Sequence, residues 1–318
     1  MRMILVRITN HQSDKMRLAF SNKILDKLKS GEDLYVLTGD VGWNALDKIR
    51  ELFPKNLINM GVAEQSTLLI AIGMALEGKE VYTYSILPFS TFRIFEQIRL
   101  ACYNNAAIRI MGMGVGYDYD LGGNTHFGLE DIQVMTALPN LTVISPSDGK
   151  ETAILMDKIK NIKNPVYIRL SKNSDQEIHQ KHDLIEIGKA LRIREGNDVL
   201  IVTTGEITKM AIDAAASLSK DGIECEILDM HTLKPFDGQT IIQSSRDKKA
   251  IVVIEENTGG LGKLVSFELA KGAVKIRKFI NLKLPDEFVK KVGKRPWMLE
   301  QAGLSVDNIY NSIISAIK

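Results

Sequence analysis

Apolar strand segments alternate with helical segments along almost the whole chain, and this alternation restricts the fold more than any other feature. The strand segments are apolar on both faces, as in DLYVLTGD (33–40), AIRIMGMG (107–114) and AIVVIEE (250–256). Strands of this kind, joined by helices, are typical of parallel sheets that are covered on both faces. The sequence therefore predicts an α/β fold with mostly parallel sheets flanked by helices.

A polar segment interrupts the alternation near the middle of the chain. KNSDQEIHQKHDLIE (172–186) has no hydrophobic periodicity, so it is interpreted as a linker followed by an edge strand. The chain has 318 residues, which is long enough for two hydrophobic cores. We therefore predict one α/β domain at 1–175, a linker at 176–192 and a second α/β domain at 193–318.

Composition gives no support for several classes of protein. The formal net charge is +2, which gives no reason to expect nucleic-acid binding. The longest apolar run, LLIAIGMAL (68–76), is too short to cross a bilayer, and the N-terminus lacks a signal-peptide pattern. Cys102 and Cys225 have no metal-binding or CxxC spacing, which fits a reducing compartment. We expect a cytoplasmic protein with no nucleic-acid or membrane partner.

An acidic residue, Glu64, stands where an apolar helix begins, in NMGVAEQSTLLIAIGMALEG (59–78). A helix dipole favours a carboxylate at this position by about 0.3–1 kcal/mol, so a solvated helix-start charge is one interpretation. The helix is apolar on nearly every face, so its start is expected to be buried. A buried acid needs a partner or a raised pKa, and such an acid can give a proton to a ring nitrogen.

Five motifs, taken in order, resemble the transketolase family. NMGVAEQ, YSILPFSTFRIFEQIR and GGNTHFGLEDIQVMTALPNLTVISPSD resemble its pyrimidine-binding domain, and HTLKPFD and EENTGGLG resemble its C-terminal domain. The resemblance covers nearly the whole chain. It implies a thiamine-diphosphate-binding fold followed by a transketolase C-terminal-like domain, and thiamine diphosphate as the cofactor.

The resemblance also implies which residues contact the cofactor. Glu64 is expected to bond a ring nitrogen of the aminopyrimidine, Phe89 to stack on that ring and Phe92 to border it. Ile86 stands where the family has a third aromatic residue. For these three apolar residues core packing is the alternative. Asp40 is a further candidate cofactor contact, with a structural role or a subunit contact as its alternative.

His126 in GGNTH matches the family's GPTH-like motif, where the histidine faces a substrate oxygen and assists proton transfer. A lone histidine is more often structural, so this role depends on the resemblance. The expected substrate contacts are His126, Asp120, Lys172 and Arg169.

The substrate region departs from the family pattern at three positions. Gly122 replaces an aspartate that reads the stereochemistry of the donor, although Asp118 and Asp120 lie nearby. Gly114 aligns with a phosphate-contacting histidine. Lys172 replaces an arginine; it keeps the positive charge but cannot donate the two parallel hydrogen bonds of a guanidinium group. Because of these changes, the usual phosphosugars of the family are uncertain as substrates, and the sequence does not identify the donor or the acceptor sugar.

The GDG motif that marks the diphosphate-binding domain of the family does not occur in these residues. The resemblance therefore implies a partner, an N-terminal transketolase subunit, that supplies the Mg²⁺ ligands for the diphosphate. It also implies self-association through a contact between two copies of this chain, in an α2β2 assembly.

Four interpretations of function remain open at this stage. The first is the β-type subunit of a split transketolase that moves a two-carbon ketol unit from a ketose to an aldose. The others are a 1-deoxyxylulose-5-phosphate-synthase-like carboligase subunit, a 2-oxoacid dehydrogenase E1 β-like subunit, and a non-catalytic scaffold that keeps the fold.

Overall fold

The computed structural model describes residues 16–172, 176–179 and 184–317. Within these residues, two sheets are each flanked by helices, which confirms the predicted α/β class with two mostly parallel sheets. None of the helices in these ranges is both long and apolar enough to span a membrane.

The strands and helices follow one another much as the hydrophobic pattern predicts. The strands are β1 (Leu34–Thr38), β2 (Leu57–Asn59), β3 (Glu80–Ile86), β4 (Ile108–Met113), β5 (Thr142–Ile144), β6 (Val166–Leu170), β7 (Leu191–Arg194), β8 (Val199–Thr203), β9 (Cys225–Asp229), β10 (Thr232–Lys234), β11 (Ala250–Glu255) and β12 (Phe279–Lys283). The helices are α1 (Met16–Lys29), α2 (Asp47–Leu52), α3 (Glu64–Leu76), α4 (Phe95–Tyr103), α5 (Asp131–Thr136), α6 (Gly149–Lys158), α7 (Thr208–Lys220), α8 (Gly238–Ser244), α9 (Gly260–Lys271), α10 (Arg295–Gln301) and α11 (Val306–Ile317).

The larger sheet has the strand order β10-β5-β6-β4-β3-β1-β2, and the smaller has β12-β11-β8-β9-β7. All neighbours pair in parallel except β10 with β5 and β7 with β9. The antiparallel β7 lies at the edge of its sheet, where the sequence predicts an edge strand after the linker. Because the other strands are parallel, the loops that follow β1, β3, β4 and β6 meet at one edge of the larger sheet.

Strand β10 was not predicted, and it connects the two halves of the chain. Its HTLKPFD segment resembles the C-terminal domain, yet the strand completes the larger sheet by pairing Thr232 with Ile144. The pairing covers the edge of β5, which would otherwise expose unpaired backbone groups. One cluster of buried apolar side chains also includes both sheets, with Ile110 on β4 and Val253 on β11 among its members. The two sheets therefore share a core.

Candidate functional site

Glu64 is the first residue of α3, and its carboxylate is paired. Its Oε1 accepts a hydrogen bond from Arg93 Nη1 at 2.7 Å, and only 11% of the Glu64 side chain is exposed. The turn after β1 comes very close to this helix start, since a Cβ on Gly39 would lie 2.5 Å from the carbonyl oxygen of Gly61. A glycine at position 39 therefore lets the two turns form one wall of the site.

Helix α3 is apolar on nearly every face, but only its inner face is buried. Leu68 and Ala71 are buried against the sheet, whereas Leu69, Ile70 and Leu76 are between 44% and 56% exposed. The apolar pattern predicts burial correctly only for the inner face, because the pattern does not show what covers the outer one. A contiguous exposed apolar face of this kind is typical of a contact surface.

Phe89 lies next to the Glu64–Arg93 pair. The guanidinium carbon of Arg93 is 4.1 Å from the centroid of the Phe89 ring, and the His126 ring meets Phe89 edge-on at 5.4 Å. Glu64, Phe89 and His126 come from three separate segments. Arg93 contacts both Glu64 and Phe89, and Phe89 in turn contacts His126. A narrow cleft at this place is lined by Gly39, Glu64, Thr67, Leu68, Thr83, Tyr84, Ser85, Phe89, Ser90 and Ile94.

Arg93 shows what kind of group fits this cleft. Its guanidinium is a planar cation that covers Phe89 and donates an N–H group to Glu64. The aminopyrimidine of thiamine diphosphate is also planar. It is expected to stack on Phe89 and to form a hydrogen bond with Glu64. The residues present therefore fit that ring once Arg93, whose side chain is 43% exposed, turns aside.

The other expected cofactor contacts are more widely spread. Phe92 is 38% exposed on a helical turn beside the cleft, and Ile86 lines a neighbouring cleft instead. Asp40 has a left-handed backbone, and its Oδ1 accepts a hydrogen bond from Asn59 Nδ2 at 2.7 Å. This geometry favours the structural alternative for Asp40, since its side chain stabilises the turn.

The neighbouring cleft has a volume of about 210 Å³ and contains two cationic side chains, Arg17 and Lys172. The ammonium group of Lys172 lies 4.6 Å from the centroid of the Tyr119 ring, and the centroids of the Tyr119 and His126 rings are 5.7 Å apart. Sequence reasoning missed Arg17 and Trp43, which also line this cleft. No motif marks either residue, and only the fold brings them to the sheet edge.

His126 lies at the end of a loop that is attached to the second half of the chain. Asn124 donates a hydrogen bond to the carbonyl of Val289 at 2.9 Å and accepts one from its N–H at 3.0 Å. The N–H of Tyr117 also donates to Glu256 Oε1 at 2.9 Å. The C-terminal half therefore holds the His126 loop in place, although the sequence assigned it no role at the site.

We expect Asn124→Ala to loosen this loop. Loss of both hydrogen bonds to Val289 should raise amide hydrogen exchange across residues 120–126 by about thirtyfold, since each bond contributes about 1 kcal/mol. Hydrogen-exchange mass spectrometry measures this directly. Asn104→Ala is the matched control, because Asn104 bonds only the carbonyl of Leu100 on its own helix. Unchanged exchange in the loop would show that other contacts hold it.

Two acidic residues close to His126 in the sequence, Asp118 and Asp120, form hydrogen bonds within the protein. Asp120 Oδ1 accepts a hydrogen bond from the N–H of Arg295, the first residue of α10, at 2.7 Å. Asp118 is buried, and its Oδ2 accepts from the N–H of Lys172 at 2.7 Å. Burial, with Glu206 nearby, raises the pKa of Asp118 to about 7. These contacts favour structural roles for Asp118 and Asp120, and a substrate contact in place of the aspartate missing at Gly122 stays a prediction.

The contacts of Arg169 favour a structural role over the expected substrate contact. The side chain is 3% exposed within the sheet, and its guanidinium donates to Asp131 at 2.6 and 3.2 Å and to Ser145 at 3.1 Å. A guanidinium that is buried and bonded on three nitrogens is not free to bind a sugar. A charged residue in a strand carries no sign of internal pairing, so the sequence alone does not indicate this structural role.

Known protein families match both halves of the chain. The family profile described as "Transketolase, pyrimidine binding domain" matches residues 13–176, and "Transketolase, C-terminal domain" matches 188–309. These matches confirm the resemblance inferred from the motifs.

Two curated relatives match over most of both chains. A putative transketolase C-terminal section of Methanocaldococcus jannaschii is 32% identical, over 95% of this chain and 96% of its own. An apulose-4-phosphate transketolase subunit from Actinobacillus succinogenes is 30% identical, over 92% of this chain and 95% of its own. A solved structure described as a split gene transketolase, inactive beta4 tetramer, superimposes with a TM-score of 0.84 at 29% identity, over 95% of this chain and 97% of that chain.

Proposed function

This chain belongs to the transketolase family, and we propose that it is the β-type subunit of a split transketolase, active together with a partner chain. The observation that carries the proposal is the convergence of Glu64, Phe89 and His126 at one edge of the larger sheet. A scaffold that keeps only the fold has no need for a carboxylate, an aromatic face and an imidazole at one place. The relatives that match over nearly their full length are named as a subunit and a C-terminal section, which supports a divided enzyme.

The chain's own residues have distinct tasks in this proposal. Glu64 accepts a ring N–H of the cofactor and so selects the ring tautomer, while Phe89 fixes the plane of the ring. His126, 5.4 Å from Phe89 between ring centroids, exchanges a proton with the substrate oxygen nearest to it. Thiamine diphosphate, when bound, supplies the carbon nucleophile and the electron sink that two-carbon transfer requires. The result is transfer of a ketol unit from a ketose to an aldose.

The second half of the cofactor site belongs to the partner in this proposal. An N-terminal subunit with the diphosphate-binding domain would hold the diphosphate through Mg²⁺, a hard cation that takes oxygen ligands. The exposed apolar face of α3, with Leu69, Ile70 and Leu76, is the surface we assign to the contact between two copies of this chain. An α2β2 assembly follows from one such contact and two partner chains.

The substrate cleft favours an anionic sugar. Arg17 and Lys172 line the same cleft, and within its lining there is no carboxylate to neutralise them. A phosphate or another anionic group on the sugar would place its charge between them. This charge pattern favours an anionic substrate over the neutral ketose that the altered family positions leave open.

Lys172→Met is expected to raise the KM for a phosphorylated substrate by about tenfold or more with a smaller change in kcat, because one charge-assisted hydrogen bond is lost. Steady-state kinetics of the assembled enzyme give the two constants separately. Lys55→Met, at an exposed position away from the cleft, is the control. An unchanged KM for every phosphorylated sugar would contradict the assignment of this cleft.

The proposed function is tested by isolating the chain from its native cell under mild conditions and identifying what accompanies it. We expect a stoichiometric chain with the GDG motif, and the pair should transfer a two-carbon unit with thiamine diphosphate and Mg²⁺ across a panel of ketoses and aldoses. Condensation of pyruvate with an aldehyde would instead identify the carboligase, and decarboxylation of a 2-oxoacid the dehydrogenase subunit. A complex with no thiamine-diphosphate-dependent activity would support the scaffold.

A further inference from the structure

Three titratable side chains meet at the seam between the two halves of the chain, away from the residues assigned to the cofactor. Glu151 is on α6, His179 is in the linker region, and Asp229 is the last residue of β9; all three are at most 1% exposed. His179 Nε2 is 3.2 Å from Asp229 Oδ2 and 3.5 Å from Glu151 Oε2. One donor atom of each residue lies within 4.8 Å of the other two.

Neighbouring groups fix the positions of these side chains. Asp148 Oδ2 accepts hydrogen bonds from the N–H groups of Ile178 and His179, both at 2.7 Å, and so attaches the linker to the start of α6. Ser147 donates its backbone N–H to Glu151 Oε2 at 2.7 Å. Asp229 is held by its strand, which is buried along its whole length. The cluster is therefore preorganised by three separate segments.

The hydrogen bonding of the cluster is incomplete. Glu151 Oε1, Asp229 Oδ1 and the nearby His231 Nε2 are buried polar atoms with no hydrogen-bond partner in the described part of the chain. Such atoms are uncommon in a protein interior because each one costs free energy when it is left without a partner. Two of the three belong to the clustered carboxylates, where a bound cation would satisfy them.

We propose that this cluster binds a divalent transition-metal ion of the zinc type, with His179 Nε2 and one carboxylate oxygen each from Glu151 and Asp229 as ligands. Zinc–ligand bonds of about 2.0–2.1 Å in a tetrahedron place the donor atoms about 3.3–3.4 Å apart. The distances of 3.2 and 3.5 Å from His179 to the two carboxylates match this spacing. With three protein ligands, a water molecule would complete four-coordination.

The donor set selects the class of metal. Two carboxylates and a neutral imidazole bring two negative charges, which a divalent ion neutralises inside the seam. Mg²⁺ and Ca²⁺ prefer six or more oxygen ligands, whereas an imidazole nitrogen in a four-coordinate site suits zinc. The ion would connect α6, the linker and β9, so its role is to fix the two halves of the chain against each other.

A proton is the competing occupant of the cluster. Burial raises the pKa of Asp229 to about 7. Burial lowers the pKa of His179, but its hydrogen bonds to Asp229 and Glu151 outweigh this and raise it to about 11. An imidazolium between two carboxylates that share a further proton would also neutralise the site. The two occupants differ in one measurable respect, which is metal content.

The test measures zinc in the full-length chain purified from zinc-supplemented medium without a histidine tag. We expect about one zinc ion per chain by plasma mass spectrometry, and a melting temperature that falls when a strong chelator removes it. Glu151→Gln and Asp229→Asn keep the shape of each side chain and should each reduce zinc to below about a tenth per chain. Glu177→Gln is the matched control, because this exposed linker carboxylate pairs with Lys150 outside the cluster.

Two results would overturn the proposal. The first is a wild-type chain that contains no zinc and whose melting temperature changes with neither zinc nor chelator. This result would show that a proton, and not a metal ion, neutralises the cluster. Zinc that persists in both variants would place the ion elsewhere. Should the variants fail to fold, X-ray absorption spectra of the wild-type chain decide, since the site requires one imidazole among nitrogen and oxygen ligands. None of these readouts depends on transketolase activity.

Discussion

Glu64→Gln is expected to lower the turnover of the assembled enzyme by about 10²- to 10⁴-fold, the range that positioned acid–base groups contribute. The amide keeps the size of the side chain, and in the chain without cofactor its oxygen can accept the hydrogen bond that Arg93 donates to Glu64 at 2.7 Å. It lacks the negative charge that favours the protonated form of the cofactor ring. Kinetics of the reconstituted complex measure the loss, and size-exclusion chromatography checks that assembly is retained.

The size of the effect separates two roles for Glu64. If the carboxylate only neutralised Arg93, Glu64→Gln and Arg93→Gln would each have a small effect, because an ion pair with a 43% exposed arginine contributes about 0–1 kcal/mol. Glu77→Gln, at the exposed end of the same helix, is the control for loss of a carboxylate. Turnover within about twofold of wild type in Glu64→Gln would refute the catalytic assignment, whatever the fold.

The sequence predicted the site best where chain topology alone brings residues together. Glu64, Phe89 and His126 all follow strands of the larger sheet, and the carboxyl ends of parallel strands meet at one edge. Short motifs on such strands can therefore be combined into one candidate site from the sequence alone. The alternation of strands and helices predicted the α/β class for the same reason, because it depends on local periodicity that each segment carries by itself.

Pairings between distant segments were not predictable in this way. Strand β10 is only three residues long, and its partner β5 precedes it by almost ninety residues, so no local pattern indicates their contact. Arg93 was read as part of a motif, yet its contact with Glu64 spans 29 positions. The substrate contacts expected of Asp120 and Arg169 depend on the family resemblance, which carries no information on their partners within the chain. A sequence shows a charge but not the partner that already neutralises it.

Arg169→Met is expected to destabilise the chain by about 3–5 kcal/mol, since it leaves the buried carboxylate of Asp131 without its cation. Asp131 is fully buried and accepts hydrogen bonds from Arg169, Tyr167 and, from the second half of the chain, Asn257. Arg169 therefore neutralises a buried carboxylate, that of Asp131, which accepts hydrogen bonds from both halves of the chain. Thermal and denaturant unfolding measure the loss, provided that a single transition is observed.

An exposed ion pair is the matched control for this substitution. Lys23 bonds Asp157 at 2.6 Å, but the two side chains are 30% and 58% exposed, so Lys23→Met should cost no more than about 1 kcal/mol. The comparison also tests the original expectation for Arg169. A substrate contact predicts an unchanged melting temperature and a lower kcat/KM, whereas the buried pair predicts a large loss of stability at any substrate concentration. The bonding of Arg169 favours the second outcome, because all three of its guanidinium nitrogens donate to Asp131 or Ser145 and the residue does not line the cleft that contains Lys172.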